Sequence, residues 1–186
     1  MKRLFDFTLA SILIVILIIP MLLIILSIRL TSKGPAFYLS DRVGLDNKIY
    51  KMPKFRTMLI NTPEIATHLM SNPDQFFSPI GGFLRRTSLD ELPQLFSIFK
   101  GEMSFVGPRP ALYNQDDLIA LRLENNLDKI LPGLTGWAQI NGRDELSISE
   151  KVLFEIEYMH KKSFWFDLKI LLLTFIKVIK RKDVSH

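Results

Sequence analysis

Between Asp6 and Arg29 the chain runs for 22 residues, "FTLASILIVILIIPMLLIILSI", without a charged side chain. As a straight helix such a run reaches roughly 33 Å, and it exceeds the ~18 uncharged apolar residues that mark a membrane helix. It is too long for the apolar region of a signal peptide, and no small-x-small cleavage site follows it. Residues 1–30 therefore read as a membrane segment. Residues 31–186 remain for a single membrane-associated domain, since 186 residues are too few for two generous cores.

Pro20 lies well inside this segment, where it removes one backbone hydrogen bond and should bend or break the helix near Ile19. Two geometries follow: a kinked span, or a helix-break-helix that dips into the bilayer and returns to the same face. Basic residues normally choose the cytoplasmic side. Here Lys2 and Arg3 precede the run while Arg29, Lys33 and Arg42 follow it, so the flanks leave both geometries open.

The formal charge of +5 and a pI near 9.5 suit anionic lipid, nucleic acid or a phosphorylated substrate. The membrane segment favours lipid and phosphorylated substrate over nucleic acid. Cysteine is absent, which excludes disulfides and thiolate chemistry. His68, His160 and His186 are too scattered to pair as zinc ligands.

Beyond the membrane segment the pattern predicts an α+β fold, mostly helical. Residues 31–58 alternate apolar and polar around "GLDN", which predicts a β-hairpin. Residues 59–82, rich in Asn, Pro and Ser, read as a loop with room for one helical turn. Helices are expected at Leu92–Phe99, stopped by Lys100-Gly101, at about Gln115–Asn126 and near Ser149–Lys161. "LPGLTGWAQINGR" reads as turn-rich, and Asp167 reads as the cap of a last amphipathic helix with Lys169, Lys177 and Lys180 among its apolar residues.

The stretch "RRTSLDELPQL" holds two adjacent acids behind two arginines. Ser88 and Glu91 have capping-box spacing, and acids are favoured in a first helical turn. Pro93 fits the first turn better if Asp90 is the cap, so both starts stay open. The same free N–H groups, with Arg85 and Arg86 upstream, outline a phosphate site. An aspartate beside a bound phosphate can attack phosphorus once cations offset its charge. Successive helix positions diverge by about 100°, so Asp90 and Glu91 should have separate tasks.

Further cations stand elsewhere. Arg109 is held between Pro108 and Pro110 in "GPRP". Lys54 and Arg56 in "KMPKFRTM" share one strand face, suited to a second phosphate or to the anionic membrane surface. No Walker A, GxGxxG, GxSxG or Asp-x-Asp sequence occurs, which removes support for P-loop, dinucleotide, serine-hydrolase and metal-dependent direct glycosyl-transfer machinery.

Taken in order, "YKMPKFRTM", "FLRRTSLDELPQLFSIFKGEMSFVGPRP" and "LPGLTGWAQINGR" after an N-terminal membrane segment resemble the bacterial sugar transferase family, the monotopic polyprenol-phosphate phosphoglycosyl transferases. In length the chain resembles the minimal members. The resemblance implies transfer of a sugar 1-phosphate from a UDP-sugar to undecaprenyl phosphate with Mg²⁺, releasing UMP, as a first membrane step of bacterial glycan assembly. It implies Asp90 as the nucleophile that forms a phosphosugar-enzyme intermediate and as the metal-holding acid, with Glu91 as its assistant. Lys54, Arg85, Arg109 and Asp167 match the family's phosphate- and substrate-binding positions.

The resemblance also implies a re-entrant helix broken at Pro20, a catalytic domain on the cytoplasmic face of the inner membrane, and an N-acetylated amino sugar as the family-weighted donor. Two positions depart from the family pattern: Leu131 stands where a basic residue often precedes "PG(I/L)TG", and Ile19 where a small polar residue often precedes the proline. The competing reading is a membrane-anchored basic adaptor that binds anionic lipid or a protein partner without chemistry. A nucleic-acid partner is not expected, because aromatic interleaving and module signatures are lacking.

Overall fold

A computed structural model describes residues 1–60, 62, 73–142 and 145–180. The apolar run forms most of helix α1, Lys2–Thr31, about 45 Å long if straight. Helical backbone passes through Pro20 without interruption, so the expected break does not divide the segment into two helices. The ring removes one N–H donor, and the turns on either side continue to pair.

The hairpin forms as expected: β1 (Phe37–Val43) pairs antiparallel with β2 (Ile49–Phe55) in the register Tyr38↔Lys54, Ser40↔Met52 and Arg42↔Tyr50. Its turn places Asp46 and Asn47 at φ of 53° and 57°, the left-handed region that short Asx side chains tolerate. Gly81 and Gly82, expected in a loop, instead begin α2 (Gly81–Arg86). Half of the remainder of that predicted loop, residues 61 and 63–72, lies outside the described residues.

A 3-10 turn at Leu89–Glu91 leads into α3 (Gln94–Lys100), which ends at Gly101 with φ 90°, the expected glycine stop. Strand β3 (Ser104–Val106) pairs in parallel with β4 (Gly133–Thr135). Between them lies α4 (Asp116–Glu124), and after them α5 (Trp137–Ile140), α6 (Ile148–Lys161) and α7 (Phe164–Lys180).

Two expectations are corrected here. The stretch read as turn-rich supplies β4 and α5, because its glycines let backbones meet: a Cβ on Gly133 would lie 2.1 Å from the Gly107 nitrogen. Nor does Asp167 cap α7. The helix begins three residues earlier, where the Ser163 hydroxyl accepts from Phe166 N at 3.2 Å.

The core lies along α1. Ala10 packs with Met52, Leu95, Ile98 and Met103, while Met21 and Ile28 pack with Phe55 and Leu84. Both ends of α1 are tied to this domain. Arg3 donates to the carbonyls of Ile98 (2.6 Å) and Phe99 (2.7 Å) at the end of α3, and the buried Asp6 carboxylate accepts from Phe105 N at 3.3 Å. At the far end Arg56 donates to the carbonyl and hydroxyl of Ser32 (3.1 and 2.7 Å) and to the carbonyl of Lys33. The opposite face of α1 leaves Ile12, Val15, Ile16, Ile19, Leu22 and Leu26 exposed, and α7 leaves Trp165, Leu172, Phe175 and Val178 exposed. Apolar surface on this scale marks contact with lipid or protein.

Candidate active site

Four segments distant in sequence meet around the acid pair. Lys54 comes from β2, and its neighbour Thr57 receives the start of α2 at close range: a Cβ on Gly81 would sit 1.9 Å from the Thr57 carbonyl oxygen. Only glycine permits that approach. It brings Arg85, one turn on, to donate from Nε to Thr57 Oγ1 at 2.9 Å, with its guanidinium 5.1 Å from the centre of the Phe77 ring.

After Arg86 the chain reverses at Ser88, whose φ of 56° is left-handed, and enters the 3-10 turn that carries Asp90 and Glu91. Neither expected cap forms. Ser88 makes no side-chain cap, and α3 starts beyond Pro93. The Glu91 carboxylate turns instead to Lys54 Nζ at 2.9 Å and Arg109 Nη2 at 3.3 Å. Two charge-assisted contacts outweigh one neutral cap. Positive charge around the acids thus comes from side chains rather than from the end of a helix.

Asp90 is 8% exposed and forms no ion pair within 4 Å among the described residues. Burial pushes its carboxyl up to about 6. Lys54 and Arg85 pull it down while Glu91 pushes it up. Burial also lowers the Lys54 ammonium, an effect that Glu91 opposes. Among the described residues the site gathers three cations, Lys54, Arg85 and Arg109, around the ion-paired Glu91 and around Asp90, which is half-protonated near pH 6. A cluster of three cations suits a phosphate-bearing ligand.

The structure brings Asp90, Glu91, Lys54, Arg85 and Arg109 together, and it leaves Asp167 and Arg56 elsewhere. Asp167 is buried against Lys2 Nζ (2.5 Å) and accepts from the Tyr158 hydroxyl (2.8 Å), tying α7 to the first turn of α1. Arg56, expected beside Lys54, lies past the end of β2 and turns to the carbonyls of Ser32 and Lys33, just beyond the end of α1.

Sequence reasoning treated Arg42 only as a flanking charge. It shares the hairpin face of Tyr38, Ser40 and Lys54, and period-two spacing from Tyr38 is the signal that marks it. Burial, with Arg109 adding to it, lowers this guanidinium to about 10.

No group of three or more His, Cys, Asp or Glu side chains that could hold a metal occurs among the described residues. Mg²⁺ asks for less: one or two carboxylates, with substrate phosphates and water completing its shell. Asp90, a buried carboxylate with no ion pair among the described residues, fits that demand as one such ligand. Glu91 is committed to Lys54 and Arg109.

Fold and site define an α+β protein with a docked apolar helix and a buried acid ringed by cations. The chain belongs to the bacterial sugar transferase family, whose sequence profile matches residues 1–181. It is similar to the UDP-glucose:undecaprenyl-phosphate glucose-1-phosphate transferase of Escherichia coli K12, with 42% identity over 95% of this chain and 40% of that protein. It is 39% identical to the undecaprenyl-phosphate glucose phosphotransferase of Komagataeibacter xylinus, over the whole chain and 36% of that protein. An uncharacterized sugar transferase of Bacillus subtilis is 40% identical, over the whole chain and 91% of its own length. The chain thus spans about two fifths of the length of the first two relatives and most of the third.

Proposed function

We propose that this chain transfers a sugar 1-phosphate from a UDP-sugar to undecaprenyl phosphate, giving undecaprenyl-diphosphate-sugar and UMP. The observation that carries this reading is the buried Asp90 carboxylate, set among Lys54, Arg85 and Arg109 while its neighbour Glu91 is tied to two of those cations. The relatives' names support the reaction class. Relatives with a defined activity are named for glucose or galactose, so the expectation of an N-acetylated amino sugar finds no support and UDP-glucose and UDP-galactose are the first donors to test.

In the first step an oxygen of ionised Asp90 attacks the β-phosphorus of the donor. The bond from that phosphorus to the bridging oxygen breaks, and UMP leaves with the electron pair. Lys54, Arg85 and Arg109 offset the negative charge that would otherwise hold carboxylate and diphosphate apart. In the second step an oxygen of undecaprenyl phosphate attacks the phosphosugar-aspartate, the Asp90–phosphorus bond breaks and the carboxylate is restored. Mg²⁺, held by Asp90 and the diphosphate, would neutralise phosphate charge.

The anchor is read as held from one face of the membrane. By length and composition α1 is able to cross a bilayer, yet its first turn docks on α3 and β3 and its last turn on Arg56. Because Ala10, Met21 and Ile28 also pack on that domain along the length of the unbroken helix, the geometry supported is an anchor held at one face of the membrane rather than a span. The domain then faces the cytoplasm, where nucleotide sugars are available.

The test incubates the full chain in nanodiscs with UDP-glucose, Mg²⁺ and undecaprenyl phosphate and follows UMP. Without acceptor, a hexose-phosphate adduct on the intact protein should map to Asp90. Full UMP release by Asp90→Asn would sink the mechanism. If every UDP-sugar tried released no UMP while anionic vesicles bound in a salt-sensitive way, the adaptor reading would replace it.

A further inference from the structure

The Arg109 segment presents four successive carbonyls, and each has a donor. Gly133 N donates to Pro108 O at 2.8 Å and Val43 N to Ala111 O at 3.0 Å, both from neighbouring backbone. Arg42 Nη1 donates to Pro110 O at 3.0 Å. The carbonyl of Arg109 itself accepts from Arg122 Nη2 at 2.9 Å. Arg122, on α4, is in turn gripped by Glu155 of α6 through two contacts, Nε to Oε2 at 2.8 Å and Nη2 to Oε1 at 2.5 Å. Glu155 is 3% exposed, so this pair is buried.

We infer that the Arg122–Glu155 pair is a positioning device for Arg109: it fixes the peptide from which the Arg109 guanidinium reaches Glu91 and the donor phosphates. The inference rests on the reading of Arg109 as a phosphate contact. The two flanking prolines restrict backbone torsions within the segment, but they do not set where the segment stands relative to the acid pair. That placement needs contacts from outside. A planar guanidinium can hold both oxygens of Glu155 and still present an N–H to the Arg109 carbonyl. A lysine ammonium, compact and without the fork, cannot reproduce all three contacts.

A pair that merely joined α4 to α6 would affect stability alone. A positioning pair must act through Arg109, and a double-mutant cycle separates the two cases. The probe is UDP binding by calorimetry to the full chain in nanodiscs, using wild type, Arg109→Ala, Arg122→Lys and the double variant, with thermal unfolding measured in parallel. Arg122→Lys should weaken UDP binding roughly 5- to 20-fold, whereas in the Arg109→Ala background it should change binding by less than about twofold. Equal losses in the two backgrounds overturn the inference. If Arg109→Ala alone leaves UDP binding unchanged, the phosphate role of Arg109 falls, and this inference with it. Should Arg122→Lys not fold, Glu155→Gln provides the same cycle, since it keeps the side-chain shape while removing the charge that grips Arg122.

Discussion

Lys54 Nζ lies 2.9 Å from Glu91 Oε1, and this contact joins the β-hairpin to the turn that carries the acid pair. It also divides the acids: Glu91 is ion-paired, whereas Asp90, one residue earlier, feels Lys54 only through space. Lys54 therefore lowers the Asp90 carboxyl, working against burial. Replacement by Met should move the acidic limb of the rate profile above the wild-type position and lower the maximal rate on the order of 100-fold. The pH dependence of UMP release from UDP-glucose reports both. An unmoved limb would mean that Lys54 does not act on the nucleophile.

The wild-type limb is itself a prediction. Only ionised Asp90 attacks phosphorus, and its carboxyl titrates at about 6. The rate should fall to about half its plateau near pH 6 and to about a tenth of the plateau at pH 5. A profile flat down to pH 5 would contradict the assignment of Asp90.

The same burial makes Asp90 a burden on stability, with a definite sign. Its folded value of about 6 stands above the ordinary 3.8, so its contribution is most favourable below about 3.8 and is lost as pH rises through 6. Asp90→Asn removes the ionisation. It should stabilise the chain by on the order of 2–3 kcal/mol at pH 8, and the gain should vanish toward pH 4. Thermal unfolding of both proteins across that range decides it, and a gain independent of pH would refute the electrostatic origin. Stability and catalysis here pull in opposite directions.

Two S-x-x-E sequences show where local reading succeeds and where it fails. Ser147 and Glu150 form a complete capping box at the start of α6, with the Ser147 hydroxyl accepting from Glu150 N and Glu150 Oε2 accepting from Ser147 N. Ser88 and Glu91 have the same spacing and form none, because Lys54 and Arg109 arrive from 37 and 18 residues away. Spacing alone cannot register partners that distant. The hairpin, α3 and α6 were legible because alternation, a basic-glycine stop and amphipathic period are local signals. The roles of Arg42, Arg56, Arg122 and Asp167 depend on which carbonyl or acid the fold places opposite each, and no local pattern encodes that.

Arg56 provides a test of this distinction. If it held a phosphate beside Lys54, its loss would impair donor binding. Its contacts lie instead on Ser32 and Lys33 at the end of α1. Arg56→Met should cost about 1–2 kcal/mol of stability, as expected when part-buried carbonyls lose a charged donor, while UDP binding to the folded fraction stays within about twofold of wild type. Weaker UDP binding without a stability loss would return Arg56 to the site.

Asp167 makes the complementary case, since family resemblance places it at the substrate and its contacts place it under α1. Its carboxylate accepts from Lys2 Nζ and from the Tyr158 hydroxyl, and both donors also reach the Val106 carbonyl, at 2.9 and 3.2 Å. Four groups from α1, β3, α6 and α7 thus share one buried knot, in which removing the charge of Asp167 leaves Lys2 without its counter-ion. Asp167→Asn should therefore lower stability by roughly 3 kcal/mol. Adding Lys2→Met, which removes the stranded ammonium, should recover part of that loss. Through both changes the KM for UDP-glucose should hold near the wild-type value, because neither residue contacts Asp90, Glu91 or their cations. A KM that rose with Asp167→Asn and stayed high in the double variant would restore Asp167 to the substrate.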